Sequence, residues 1–478
     1  MSISDWTIES LGQALRSQRI GIVEVAQTYI DRIHSYDAIG PNAIIRLNPD
    51  WHAQAQALQA SLNDQSGAMH GIPILIKDNI DTVDLGNSAG SLALWSVPVA
   101  EDATLIQQLR QAGALILGKT NLSEWANFRS PESISGWSSA GGQTRNARSL
   151  EHSPSGSSSG SAAAIAADFA VAAIGTETDG SIVSPAAHHR LVGLKPTVGW
   201  VSRAGIIPIA WSQDTAGPMT KTVRDAALLF EQLVGADPLD PVTRKQPQRP
   251  KPFLSDCQRD FIVGKRIGVI PTGGQFPAGV AENQQYTVQR LERAGAICID
   301  VPQLPAMVTL QAHEIIQMIC EFPTGLADYL ASRRPASPYR DLADLVQFNL
   351  DHRATVMPHF NQEWFDQCLL APGPQSGRYR EAQQAIELFR QEMTELWFAR
   401  HNLDALVCAC NGPAWRIDAP KGDRYTGGNS HIAAVPGWPS ITVPAGTLNS
   451  LPLGALFIAP AWQEQTLLGI AYGFEQQA

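Results

Sequence analysis

Three short runs with no charged residue set the fold problem for this chain. They are Ile72-Pro73-Ile74-Leu75-Ile76, Ala114-Leu115-Ile116-Leu117 and Ala170-Val171-Ala172-Ala173-Ile174. Runs of this length with no polar alternation read as strands buried on both faces, the kind found inside sheets covered by helices. Amphipathic helical spacing lies before or between them. A helix is predicted over 103–112, stopped at Gly113, and another over 161–167. Upstream, Leu11, Ala14 and Leu15, then Val23, Ala26, Tyr29, Ile30 and Ile33, recur at helical spacing, and 51–62 is rich in alanine and glutamine. Downstream, strands are predicted at 265–270, 405–408, 440–443 and 454–458. Helical patterns dominate 282–400, including a charged helix over 376–400. Helix–strand alternation of this kind predicts an α/β layered architecture. The late strands are expected to complete the same sheet as the early ones, in a single large domain over 1–478.

Within that domain, 1–64 reads as an N-terminal helical segment and 254–402 as a variable, mostly helical part. The one linker-like stretch is 236–253, with five prolines, read equally as a domain boundary or a long surface loop. Only 17% of the 478 residues are charged while 44% are hydrophobic, which fits a large buried core rather than a disordered chain. The formal charge of −10 argues against nonspecific nucleic-acid binding. Met1-Ser2-Ile3-Ser4-Asp5-Trp6 lacks a signal-peptide pattern, and no apolar stretch approaches the roughly 18 residues of a membrane span. The expectation is a cytoplasmic protein with no membrane and no nucleic-acid partner. The six cysteines read as thiols in a reducing compartment. Cys408 and Cys410 would share one face of a strand, but no further ligands assemble around them, so no metal site is expected.

Chemistry concentrates in three places. Ser155 to Ser161 consists only of glycine and serine and leads into an alanine-rich helix. The Gly-Lys-Ser/Thr ending of a phosphate loop is absent. That leaves two readings: a structural turn capped by Ser159 or Ser161, or a tight turn presenting Ser157 to a substrate. Ser181 follows 24 positions later, in Gly175-Thr176-Glu177-Thr178-Asp179-Gly180-Ser181-Ile182-Val183-Ser184-Pro185-Ala186. A serine after a glycine turn can expose its hydroxyl while backbone N–H groups point at the same spot. It can equally cap a helix with Pro185 near its first turn. Lys77 closes the first apolar run. A lysine there is ordinarily a surface terminator with a snorkelling stem. As a base it must be neutral, whereas a free lysine with a pKa of about 10.4 is neutral in only about one molecule in 10³ near pH 7. Burial would correct that. Asp78 is expected to point to the opposite face of the strand.

Together the Lys77 run, the Ser157 loop and the Ser181 segment resemble the amidase signature family, whose members hydrolyse amides with a serine nucleophile, a bridging serine and a lysine base. Gly118-Lys119-Thr120-Asn121-Leu122-Ser123-Glu124-Trp125, Gly141-Gly142-Gln143-Thr144-Arg145-Asn146, Val192-Gly193-Leu194-Lys195-Pro196-Thr197 and Pro439-Ser440-Ile441-Thr442-Val443-Pro444 look like family segments too. The likeness is dense over 65–225, the signature core, is weak in between, and returns over about 403–475, within a segment 403–478 that would complete the core. Within the family the chain is most similar to bacterial peptide amidases, which remove ammonia from C-terminal peptide amides. Trp125-Ala126-Asn127-Phe128-Arg129, Thr178-Asp179-Gly180 and Ser212-Gln213-Asp214-Thr215-Ala216-Gly217-Pro218-Met219 carry that likeness. Ser155 and Ser159 stand where the common loop has glycines, Asp179 where many members have glycine, and His188-His189-Arg190 where smaller residues are usual.

The resemblance implies a central mixed β-sheet covered by helices on both faces. It implies Ser181 as nucleophile, Ser157 as proton bridge, Lys77 as base, the N–H groups of Thr178, Asp179 and Gly180 as oxyanion donors, and Ser158 in support. Phe128 and Ser88 are expected near the substrate pocket. No cofactor, no metal and no obligatory protein partner are implied, and the substrate would be a small-molecule or peptide amide. Other readings stay open: an amidase for aryl, indole or small aliphatic amides, the glutaminase (A) subunit of a tRNA-dependent amidotransferase, which needs a partner and ATP, or a noncatalytic binding protein.

Overall fold

The apolar runs become strands because side chains of a strand alternate between faces, and here both faces are covered. The computed structural model describes residues 3–249 and 251–477. In chain order the strands are β1 (Ile44–Leu47), β2 (Pro73–Lys77), β3 (Leu115–Thr120), β4 (Trp137–Ser138), β5 (Gly142–Gln143), β6 (Ala172–Glu177), β7 (Val192–Lys195), β8 (Thr215–Thr220), β9 (Arg266–Val269), β10 (Ile297–Asp300), β11 (Ala405–Ala409), β12 (Ser440–Leu448) and β13 (Leu451–Ile458). β4 and β5 form a small ribbon. The others make one 11-stranded sheet in the order β1-β3-β2-β6-β8-β7-β12-β13-β11-β9-β10. The sheet is mixed: β3, β2 and β6 run parallel, as do β11, β9 and β10, while β6 through β13 pair antiparallel.

Alternate residues of β11 and β13 enter two different cores. Val407, Ala455 and Phe457 pack with Leu467, Ile470 and Phe474 of the helix Glu464–Glu475. Leu406, Cys408, Leu456 and Ile458 pack with Phe389, Met393 and Trp397. The sheet is therefore sandwiched, as expected. A third cluster lies in a helical cap, where Phe322 and Leu326 of the helix Leu310–Arg333 and Phe365 of Glu363–Leu370 meet Trp125 and Phe128.

β7 pairs directly with β12, so early and late strands share one ladder within a single α/β domain. The proline-rich stretch read as a boundary or a loop is bound to the early part of the chain. Asp237 accepts from Thr104 Oγ1 at 2.6 Å and Ser202 Oγ at 2.5 Å, Asp240 accepts from Arg203 Nε at 2.8 Å, and Thr243 is fully buried. Several strands carry weak sequence signals. β1 is short and half-buried, and β8 reads Thr-Ala-Gly-Pro-Met-Thr. β2 includes Lys77 rather than ending before it. The charged helix divides into Gly377–Glu392 and a π-helical stretch, Met393–Ala399.

Replacing Asp240 by alanine strips the partly buried Arg203 guanidinium of its carboxylate. The expected cost is on the order of 3 kcal/mol, read as a lower midpoint in chemical denaturation with a single cooperative transition. Two separate transitions would mark 236–253 as a true domain boundary.

Candidate active site

Lys77 ends β2, the parallel neighbour of β6 in the sheet, with no exposed surface. Its Nζ lies 2.8 Å from Ser157 Oγ, 3.1 Å from the Thr176 carbonyl and 2.8 Å from Thr176 Oγ1. Asn79 Nδ2 donates to that same Thr176 hydroxyl at 2.9 Å. A neutral amine has two N–H bonds and one lone pair. With both N–H bonds spent on Thr176, the lone pair faces the Ser157 hydroxyl. Burial drives the Lys77 pKa well below 10.5, against the opposing pull of the Glu177 and Asp214 carboxylates. Asp78, on the other side of the chain, accepts the Ser88 N–H at 3.0 Å and the Ser88 hydroxyl.

The Ser157 loop supplies the third contact of Lys77. The Gly156–Ser157 peptide is cis. A Cβ at Gly156 would run into Ser123 Oγ, so the backbone itself packs there. The Ser157 carbonyl accepts from Ser123 N at 3.2 Å. The Ser158 N–H donates to the Ser181 carbonyl at 3.1 Å, which ties the two serine segments together. Ser158 Oγ donates to the Thr176 carbonyl at 3.1 Å and accepts from Thr176 N at 3.2 Å, so it holds the peptide on which Lys77 rests. The capping alternative finds no support: the helix Ser159–Ala166 has no side-chain cap. Ser159 Oγ instead binds the Ser155 carbonyl at 2.6 Å, and Ser161 lies between Thr120 and Ile174.

Ser181 sits just before the helix Val183–His188, 8% exposed where Ser157 is fully buried. Among the described residues its hydroxyl has no hydrogen-bond partner. Glu177 Oε2 accepts the N–H groups of Ile182 at 2.7 Å and Val183 at 3.0 Å. The N–H groups of Asp179, Gly180 and Ser181 have no acceptor among the described residues. Gly180 has φ +75°, and a Cβ there would stand 2.8 Å from Ser430 Oγ. Thr178 is anchored through its hydroxyl, which donates to Asp214 Oδ1 at 2.6 Å. Burial raises the Asp214 carboxyl to about 6. Burial also raises Asp179 to about 6, against the opposing influences of Ser430 and Lys195, and Glu314 beside it is pushed well above the usual carboxylate range. Gln213 Nε2 bridges the Thr178 carbonyl at 3.3 Å and Glu314 Oε1 at 2.8 Å.

A cavity of about 10 Å³ adjoins Ser157, lined by Ala126, Thr176, Thr178, Ile207 and Asp214 among others. Ile206 and Asp214 separate it from a larger hollow of about 450 Å³ under Trp211 and Tyr329. Ser88 and Phe128 do not wall these spaces as expected. Ser88 is committed to Asp78, and Phe128 is packed edge-on against Phe322 at 5.2 Å and stacked on Trp364. His188 and His189 are buried, their pKa values lowered by burial to about 4 and about 3, so both are neutral. They brace the helix end: His189 Nδ1 contacts the Pro185 carbonyl at 2.8 Å. Sequence reasoning missed Thr176, Glu177 and Asn127, although all three lie inside motifs already singled out. Trp125, Ala126 and Asn127 have φ of 51°, 53° and 69°, and Asn127 Oδ1 is buried without a partner among the described residues.

Residues 24–468 match the family described as Amidase. A probable amidase of Arabidopsis thaliana is 35% identical over 492 residues, covering 99% of this chain and 90% of that protein. A glutamyl-tRNA(Gln) amidotransferase subunit from Thermoanaerobacter pseudethanolicus is 32% identical over 493 residues, covering 100% of this chain and 97% of that one. Among solved structures, the native peptide amidase from Stenotrophomonas maltophilia superposes with a TM-score of 0.93 at 42% identity, covering 99% of this chain and 97% of that one.

Because the folded pKa of Lys77 lies below 10.5, the amine gains its neutral form as pH rises through that lowered value. Activity that depends on this amine should therefore rise with pH along a limb centred well below 10.5. Lys77→Arg, protonated at every accessible pH, should lose at least about 10³-fold in kcat/KM while keeping its unfolding transition. Retained activity in Lys77→Arg would show that the group is not a base.

Proposed function

We propose, for a chain that belongs to the amidase family and hydrolyses amide bonds, that its substrates are unsubstituted carboxamides, foremost the C-terminal amides of peptides. The observation that carries this reading is the Lys77–Ser157 contact of 2.8 Å in a fully buried setting, beside a loop with free N–H groups. Neutral Lys77 takes a proton from Ser157, and Ser157 takes one from Ser181. Ser181 Oγ attacks the carboxamide carbon. The developing oxyanion is received by N–H groups of the loop of Thr178, Asp179, Gly180 and Ser181. Collapse of the intermediate breaks the C–N bond, and Ser157 returns a proton to the leaving nitrogen. Ammonia departs and leaves an ester on Ser181. Water, relieved of a proton by the same relay, cleaves that ester to the carboxylate and restores Ser181. Ser158 acts at one remove, by fixing Thr176.

The cavity beside Ser157 supports ammonia as the leaving group. About 10 Å³ is room for roughly one water-sized molecule. An amine carrying a further residue would not fit there. The higher identity to the peptide amidase than to the amidotransferase protein supports a peptide acyl group. The amidotransferase reading is favoured by one finding, an alignment that spans the whole of this chain. The expected partners are substrate alone, with no nucleic acid, membrane or obligatory protein. No helix among the described residues is long and apolar enough to cross a membrane, and all six cysteines are free thiols; a cytoplasmic site of action belongs to this same reading.

Purified protein, without ATP or any partner, should release ammonia from a C-terminally amidated dipeptide. Ser181→Ala should reduce that turnover by at least about 10³-fold. Turnover of glutamine only when amidotransferase partners are added would overturn the reading in favour of a role within that complex.

A further inference from the structure

Two buried charges next to the site have no part in the proton relay. Glu177, at the end of β6, is 1% exposed. One of its oxygens holds the N–H groups of Ile182 and Val183, and the other, Oε1, is buried with no hydrogen-bond partner among the described residues. Lys195, at the end of β7, is fully buried, and among the described residues it donates only to the neighbouring Pro196 carbonyl, at 3.0 Å. A carboxylate with an empty oxygen and an amine with one carbonyl partner are costly in an interior unless each answers a charge. Burial pushes the Glu177 carboxyl above its usual range, and the charge of Lys195 is the largest influence opposing that shift. Glu177 in turn is the carboxylate that most favours the charged form of Lys77 against burial.

We propose that the Glu177–Lys195 pair is a positioning device for both halves of the site: the carboxylate shapes the loop before Ser181 and supplies the negative charge against which Lys77 takes up its proton. The inference rests on Lys77 being the base, as in the reading above. The geometry divides the loop. By claiming the N–H groups of 182 and 183, Glu177 starts the Val183–His188 helix after Ser181 and leaves 179 to 181 unclaimed. The electrostatics follow from the low polarity of the interior, where a carboxylate acts over several ångströms. The other charged groups facing this assembly are Asp214 toward Lys77, Asp179 toward Glu177 and Lys195, and Glu464 of the last helix toward Lys195. The Cys410 thiol, which Glu177 faces, is pushed well above its ordinary range by burial and stays neutral.

The test is the pH profile of kcat/KM for an amidated dipeptide. Glu177→Gln keeps a carbonyl oxygen for the two N–H groups but removes the charge. Without its counter-charge, protonated Lys77 is disfavoured, so the acid limb should move to lower pH by about one unit. Lys195→Met should move the limb the same way, because an unanswered Glu177 takes up a proton. Glu177→Asp, which keeps the charge, should leave the limb close to wild type. A fall in rate in Glu177→Gln with the limb unmoved would reduce the pair to a structural role and overturn the inference. A wild-type profile with no acid limb below pH 10.5 would instead contradict the base assignment beneath it. Unfolding curves for each variant establish that the compared proteins are folded.

Discussion

Everything in this site depends on taking one lysine out of water. Lys77 is the last residue of a strand whose two neighbours, β3 and β6, are buried along their whole length. Desolvation lowers its affinity for a proton, and three polar contacts use up its hydrogen-bonding capacity. The parallel register of β2 on β6, with Ile76 opposite Ile174, brings Thr176 alongside the ammonium position. The proposed base therefore depends on the sheet assembling in this order. Its surroundings are acidic, since Glu177 and Asp214 both favour the charged form, yet burial prevails. A poised amine results from that balance rather than from burial alone.

The second constraint is the allocation of backbone N–H groups at the turn from β6 into the next helix. A helix start leaves its first N–H groups without partners, and here Glu177 takes those of residues 182 and 183. The N–H groups of 179 to 181 are left without an acceptor among the described residues. The Ser158–Ser181 backbone bond then fixes the glycine-serine loop against this turn. Three separate stretches of chain thus meet through backbone contacts, and the side chains of the proposed relay are carried along.

Much of the architecture was legible in the sequence because buried strands announce themselves by composition. The runs at 72–76, 114–117 and 170–174 became β2, β3 and β6 with shifts of a few residues. β8 was not legible as a strand: glycine and proline side by side in a central strand go against strand preferences, and only its place between β6 and β7 decides its conformation. The prolines of 236–253 read as a linker, but the buried bonds of Asp237, Asp240 and Thr243 are tertiary and leave no local pattern. For the site, Lys77, Ser157 and Ser181 were named from motif likeness alone. Their surroundings were not, because Thr176 and Glu177 act through contacts with residues far off in the chain, or through backbone groups. Phe128 and Ser88 line neither cavity beside the site, and both take part in contacts, an aromatic cluster and the Asp78 carboxylate, that sequence spacing does not report.

The most direct measurement is the titration of the Lys77 side-chain nitrogen in protein labelled with ¹⁵N at lysine Nζ, with the signal assigned by its loss in Lys77→Arg. A desolvated Lys77 should titrate as an amine far below the 10.5 of an ordinary lysine. A Lys77 signal that stays an ammonium up to pH 10.5 or beyond would contradict it.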